Sequence, residues 1–329
     1  MNYDVTALGE LLIDFTPSGI NDQGMNLFAR NPGGAPANVL AMNNRLGGKT
    51  AFIGKVGKDA FGAFLQRTLQ ESGVDTGGLV FDAEVPTTLA FVLLDEKGDR
   101  SFSFYRNPGA DLMLTAAETN RELIAAAGIF HFGAVSLTGE PCRSAVYAAA
   151  EYAKSLGKII SYDPNYRPLL WKSEAEAKAE MAKPLVLADI LKVSEEEMAL
   201  LTGETGPEKG AALLAKEGPA IVLVSLGAKG AFCFCADGLA RVSAYDVKTI
   251  DTTGAGDAFF GAVHYRLRGK TKEQVRSISK EELADIVDFA NAAGSLTTTK
   301  KGAIPAMPDM AAIEQCRKST GSPAKISML

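Results

Sequence analysis

Apolar positions recur along this chain with two different periods. Near the start, Val5-Thr6-Ala7-Leu8-Gly9 and Leu11-Leu12-Ile13-Asp14-Phe15 read as short strands. Pro17 and the polar stretch Ser18 to Met25 interrupt them. The segment Asn31 to Asn38 turns into a helix, Val39 to Leu46, which Gly47-Gly48 ends. A strand at Ala51 to Gly54 follows. A second helix runs from about Asp59 to Ser72, with Phe61, Phe64, Leu65 and Leu69 on one face.

The stretch Thr87 to Tyr105 differs in kind. Thr88 to Leu94 is a β-type run, Glu96-Lys97-Gly98 a turn, and Ser101 to Tyr105 a second run with Phe102 and Phe104 on one face. This predicts a β-hairpin. Beyond it, strands are predicted at Ile129–Phe132, Ile159–Tyr162, Ile190–Val193, Ile221–Ser225 and Ala231–Cys235. Helices fall between them at roughly 141–156, 174–184, 195–202 and 207–217. Strands alternating with helices imply a mostly parallel sheet covered on both faces. The reading is one α/β domain over residues 1–329, with a small β excursion built from segments of about 11–32 and 86–107. There is no internal repeat and no low-complexity tract. The last dozen residues, with Ser319, Gly321, Ser322 and Pro323, read as frayed.

Composition narrows the function. Of 329 residues, 47% are hydrophobic and 22% charged, as in a soluble globular chain. The net charge of −5 argues against a partner bound by neutralising nucleic-acid phosphates. No apolar run reaches the ~18 residues of a membrane span, and Met1-Asn2-Tyr3-Asp4 does not resemble a secretion signal. Four cysteines without a C-x-x-C pair suit a reducing cytoplasm. Two separated histidines, His131 and His264, give a histidine-rich zinc site no material; they read as a strand and a helix residue. Cys233 and Cys235 read as core. Glycine is in excess, at 33 residues, so backbone turns sharply or approaches something closely at several places.

The strongest local signal is Asp251-Thr252-Thr253-Gly254-Ala255-Gly256-Asp257, leading into the helical run Ala258 to Leu267. Small residues at a helix N-terminus leave backbone N–H groups bare at the positive end of the dipole, which makes an anion site. Alone, Asp257 could equally be a first-turn carboxylate favoured by the dipole; Asp251 and the Thr pair tilt the reading towards function. Other nucleotide motifs fail. Gly48-Lys49-Thr50 and Gly269-Lys270-Thr271 end like a P-loop, but the earlier glycine it needs is Asn43 or His264. A dinucleotide fingerprint on Gly254 and Gly256 would need a third glycine where Phe259 stands. An aspartate inside an anion hole points to phosphoryl transfer. A second cluster, Gly33-Gly34-Ala35-Pro36-Ala37-Asn38, permits close approach of a ligand, and Asn38 can donate and accept towards hydroxyls. Its bland alternative is a turn opening the next helix.

These two clusters resemble the signatures of the ribokinase-like (PfkB) carbohydrate kinases, and the resemblance runs from about Leu8 to Pro308. It includes Leu46-Gly47-Gly48 and Gly54-Lys55-Val56-Gly57. Further marks are similar to those of bacterial fructokinases: Gly9-Glu10-Leu11-Leu12-Ile13-Asp14-Phe15, Phe104-Tyr105-Arg106, Ser161 to Arg167, and Leu170-Trp171. Several are shared with 2-keto-3-deoxygluconate kinases.

The resemblance implies a three-layer α/β sandwich with a mostly parallel central sheet and a small β-sheet lid. It implies ATP-dependent transfer of the γ-phosphoryl group to a primary hydroxyl of a hexose, fructose to fructose 6-phosphate. The rivals are 2-keto-3-deoxygluconate kinase and a non-catalytic sugar sensor. Asp257 is then the general base, with Gly254, Ala255 and Gly256 as the anion hole. Sugar contacts fall to Asp14, Gly33, Gly34, Asn38, Phe104, Arg106 and Arg167. The nucleotide side takes Lys192, Ser194, Glu197, Ser225, Gly227, Gly230 and Asn291, with Glu197 organising Mg²⁺. Asp251, Thr253, Thr297, Lys300 and Gly302 match a monovalent-cation (K⁺) site. The apolar lid face invites a homodimer.

Overall fold

The computed structural model describes residues 2–94, 100–319 and 326–328. In it the most apolar runs become the inner strands of one sheet. β1 (Tyr3–Leu8) leads into β2 (Leu12–Ile20) and β3 (Asn26–Gly33). Next come α1 (Ala35–Arg45), β4 (Thr50–Gly57), α2 (Ala60–Glu71) and β5 (Asp75–Asp82). β6 (Leu89–Leu94) and β7 (Arg100–Tyr105) form the hairpin. An alternating stretch follows: α3 (Arg121–Ala126), β8 (Ala127–Gly133), α4 (Cys142–Ser155), β9 (Ile159–Asp163), α5 (Glu174–Ala182), β10 (Ile190–Ser194), α6 (Glu195–Thr202), α7 (Pro207–Lys216) and β11 (Ile221–Ser225). β12 (Ala231–Cys235), β13 (Gly238–Val242), α8 (Ala255–Leu267), α9 (Lys272–Arg276), α10 (Lys280–Thr297), α11 (Met310–Ser319) and β14 (Ile326–Met328) complete the chain.

The large sheet has ten strands in the order β14-β13-β12-β11-β10-β9-β8-β1-β4-β5. From β11 to β5 all neighbours are parallel; β12, β13 and β14 are added antiparallel. Each inner strand is buried on both faces, as a covered parallel sheet requires. Ile221 and Leu223 join the core under α1, α8 and α10, whereas Val222 and Val224 join the core under α4, α6 and α7. The result is the three-layer sandwich.

The second sheet has four strands in the order β3-β2-β6-β7. Its inner face carries Asp14, Asn31 and Phe104; its outer face carries Phe15, Phe28, Phe91 and Tyr105. Phe15 and Phe91 stack at 4.8 Å between ring centroids, and Phe15 meets Phe61 of α2 edge-on at 5.9 Å. The Arg30 guanidinium lies 3.8 Å from the Phe64 ring centroid. The lid is thereby fastened to α2.

Some elements differ from the sequence reading. Pro17 lies inside β2. It is tolerated because β2 meets β6 only over Ile13–Phe15, so Pro17 has a partner on one side alone. β3 had no apolar signature, since Asn26, Arg30 and Asn31 interrupt it. β5 is a polar, glycine-bearing edge strand. Residues 326–328 are not frayed; they pair with Ala240–Val242. The Glu96-Lys97-Gly98 turn, the Phe102 side chain and residues 320–325 lie outside the described residues. Among the described residues no helix is long and apolar enough to cross a membrane.

Asp59 links helix and lid. It caps α2 by accepting from Phe61 N at 3.0 Å and Gly62 N at 2.8 Å, and it takes Thr87 N and Oγ1, each at 2.8 Å. Asp59→Ala is expected to cost about 1–2 kcal/mol, read as a lower denaturant midpoint at unchanged slope. An unchanged midpoint would show that the cap is dispensable.

Candidate active site

The polar residues singled out from sequence converge where the C-terminal ends of the parallel strands meet the N-termini of α1 and α8. A cavity of about 740 Å³ opens there between the lid and the main sheet, and Asp14, Gly34, Asn38, Lys192, Gly256 and Asp257 line it. Clefts at the carboxyl ends of such strands are where open α/β sheets bind ligands.

α8 starts without a side-chain cap. Gly254 has φ of +75°, and a Cβ there would lie 2.5 Å from Ala303 Cβ, so the turn into the helix demands glycine. Asp257 stands on the first turn, half-buried at the cavity floor. Asn38 Nδ2 donates to its Oδ2 at 2.8 Å, and Asn165 Nδ2 to its Oδ1 at 3.4 Å. Burial pushes the Asp257 carboxyl up, against the pull of Lys192, Asn38, Arg167 and Asn165. Lys192 reaches the same floor from β10. Its ammonium pairs with Asp163 Oδ2 at 2.8 Å. Burial opposes its charge, but Asp163 and Glu197 more than offset this and hold it protonated.

On the lid side, Gly33 and Gly34 make room for acids. A Cβ on Gly33 would come within 2.2 Å of Asp14 Oδ2, and one on Gly34 within 2.4 Å of the Glu10 carbonyl. Asp14 is pushed up to about 6 by burial, with Arg167 opposing and Asp257 adding to the rise. Phe104 and Arg167 also line the cavity.

Arg106 does not. Its Nε and Nη2 donate to Asp111 Oδ2 at 2.9 and 2.6 Å, Nη1 donates to Thr138 Oγ1 at 2.7 Å, and Nη2 also reaches Val135 O at 3.1 Å. The guanidinium is buried and committed to the protein, so the structure places Arg106 behind the cavity wall rather than in it.

Ser194 and Glu197 form the capping box of α6, and Glu197 also accepts from Tyr166 N at 2.6 Å. Both line a second cavity of about 420 Å³ that shares Asn165, Arg167 and Lys192 with the first. Gly227 and Gly230 bracket the turn after β11, where Ser225 Oγ donates to Val193 O at 3.2 Å. Asn291 is buried away from both cavities and donates to Val242 O and Ser243 O at 3.0 and 3.2 Å. Its amide fastens α10 to the end of β13. The Asp251 carboxylate gathers Thr253 N, Thr253 Oγ1 and Gly302 N at 3.0, 2.7 and 3.0 Å. Thr297 instead bonds Ala293 O within α10, and Lys300 sits on the turn beyond it. Cys233 and Cys235 are buried in the core, as read.

Asn165 is the residue that sequence reasoning left without a role. It adopts φ of +49°, and its N–H donates to Asp163 Oδ1 at 3.1 Å. The Asp-x-Asn spacing just past a strand end is the available signal, because both side chains favour such turns.

A half-buried carboxylate at an uncapped helix N-terminus thus stands beside a buried lysine and below a small β-sheet. The chain belongs to the pfkB family of carbohydrate kinases, whose profile matches residues 3–310. It is an ATP-dependent carbohydrate kinase with the ribokinase-like fold. It is 46% identical over 314 residues to fructokinase-1 of Zea mays, covering 94% of this chain and 96% of that one. Its fold matches a fructokinase of Xylella fastidiosa with bound ATP at a TM-score of 0.90 and 31% identity, covering 97% of this chain and 100% of that one. A fructokinase of Vibrio cholerae O395, solved with fructose, ADP and calcium ion, matches at 0.82 and 38% identity over 94% of this chain and 97% of that one.

The placement of Arg106 makes a stability prediction. Arg106→Ala leaves Asp111 buried without its cation and is expected to cost about 3–5 kcal/mol in denaturant unfolding. A variant of normal stability with only a raised sugar KM would return Arg106 to the cavity.

Proposed function

We propose that this kinase phosphorylates fructose at O6, with Asp257 as the general base. The observation that carries the reading is the suspension of Asp257 between Asn38 and Asn165, at the point where the lid-side cavity meets the uncapped start of α8. A sugar hydroxyl placed there gives its proton to the Asp257 carboxylate as its oxygen attacks the γ-phosphorus of ATP, the bond to the β–γ bridging oxygen breaks and ADP leaves. The N–H groups of Gly254, Ala255 and Gly256, with the Lys192 ammonium, stabilise the charge that develops on the phosphoryl oxygens; one such donor is worth roughly 3 kcal/mol. Asp14, Gly33, Gly34 and Asn38 orient the sugar, Phe104 covers it, and Arg167 serves the phosphate where the two cavities join.

Carboxylates on the second cavity, Glu196 and Glu197, suit a hydrated Mg²⁺ ion held through water. Mg²⁺ offsets the charge of the β- and γ-phosphates when bound. Asp251, Thr253 and Gly302, already drawn together, would hold K⁺. The loop of Ser225, Gly227 and Gly230 belongs to the nucleotide side. A neutral hexose is favoured over a keto-acid because Arg106, spent on Asp111, is not available to a substrate carboxylate. The exposed lid aromatics Phe28 and Tyr105 suit pairing with a second copy, and four buried cysteines outside any disulfide suit the cytoplasm.

With ATP and Mg²⁺, fructose is expected to be converted to fructose 6-phosphate at a kcat/KM at least about tenfold above 2-keto-3-deoxygluconate. Preference for the keto-acid would replace the reading, and no turnover of any sugar would favour a sensor. Asp257→Asn is expected to fold and to lose at least about 10²-fold in kcat. Because the raised Asp14 carboxyl is ionised only above about 6, kcat/KM should fall as pH drops through that value. A profile flat to pH 5 would remove Asp14 from sugar binding.

A further inference from the structure

Ser161 and Asp163 point to the same side of β9, towards α8, because Ile159 belongs to the α8 core and Ile160 and Tyr162 to the opposite one. Asp163 holds Lys192, whose ammonium would lie 3.2 Å from a Cβ on Gly256. Asn165 holds Asp257. Ser161 reaches α8 further along. Its Oγ is 2.6 Å from His264 Nε2 and 3.2 Å from His131 Nδ1 of β8.

All three residues are buried, and the reaction described above uses none of them. Burial keeps both rings neutral: His131 is pushed down to about 3 and His264 well below its ordinary value. A neutral imidazole carries one N–H, so the Ser161 hydroxyl accepts from one ring and donates to the other. Phe260 packs on both, with ring centroids 5.4 Å from His131 and 4.4 Å from His264.

Asp257 and His264 are separated by close to two helical turns, about 10 Å along the axis, and therefore lie on one side of α8. The helix packs on α1 through small residues. A Cβ on Gly261 would sit 2.5 Å from Val39 O. Such a smooth contact fixes the distance between helices but opposes axial sliding weakly. From α1, Asn38 holds Asp257 at 2.8 Å and Asn43 Nδ2 reaches Gly261 O at 3.5 Å; Ser161 adds a polar contact from the sheet side, two turns below the anion hole.

We propose that the Ser161–His264 contact, backed by His131, sets the axial position of α8 and so aligns Asp257 and the Gly254–Gly256 amides with the transferring phosphoryl group. Ser161 and His264 are then positioning residues. The inference rests on Asp257 being the base, and a misplacement of about 1 Å can cost on the order of 10²-fold.

The test is a set of variants assayed for kcat and for KM of fructose and ATP, with thermal melts alongside. Ser161→Ala and His264→Leu should lower kcat about tenfold and leave both KM values within about twofold. His264→Gln, which returns a polar group near the Nε2 position, should recover most of the loss. In an Asp257→Asn background, Ser161→Ala should cause a clearly smaller further loss, because only the amides are then left to misalign. Equal losses in both backgrounds, or an unchanged kcat in Ser161→Ala, would overturn the proposal. If Ser161→Ala does not fold, equal kcat for His264→Gln and His264→Leu would overturn it. Near-normal kcat in Asp257→Asn alone would instead remove the base reading, so the two failures are distinguishable.

Discussion

A carboxylate must stay charged where little water reaches it, and the site is arranged around that demand. Burial drives Asp257 towards its neutral form. Asn38 from α1, Asn165 after β9 and Lys192 from β10 each oppose this. The three come from separate elements, so the ionisation of one side chain depends on the assembled sheet. Lys192 in turn needs Asp163 to remain charged in its own buried position. A polar network of this kind is costly when half satisfied, which ties function to correct packing.

The lid side answers to a different constraint. Its strands must expose aromatic residues outward yet present acids inward, and the period-two alternation of β2 does both with Asp14 and Phe15 in succession. The outer aromatics lean on α2, and Asp59 joins the start of that helix to Thr87 at the foot of the hairpin. The lid is therefore an extension of α2 as much as of the sheet.

Where local chemistry decides, the sequence was legible. The limits of β12, the span of α6 and the glycine-rich entry to α8 all follow from short-range signals: an apolar run between Gly230 and Asp237-Gly238, a capping box and Gly254. The anion site at the start of α8 could be named for the same reason, whereas Asp14 was named through the family resemblance alone. Legibility failed where the deciding partner is distant in sequence. Arg106 reads as a substrate arginine until Asp111, Thr138 and Val135 close around it. The bonds from Asn291 to Val242 and Ser243, 49 and 48 residues away, could not be read from its local sequence. Pro17 breaks a strand on propensity, yet its place at the margin of the sheet removes the penalty.

The committed state of Arg106 also bears on mechanics. It sits at the root of β7, clamped by Asp111 and Thr138, while the far end of β2 and β3, around Ile20 and Met25, is exposed. A ribbon anchored at one end behaves as a cantilever: displacement is small at the clamp and grows with distance along it. Phe104, two residues from the clamp, would then keep its place while the tip travels. Stiffness is concentrated beside the reacting groups, and compliance at the rim where substrates enter and products leave.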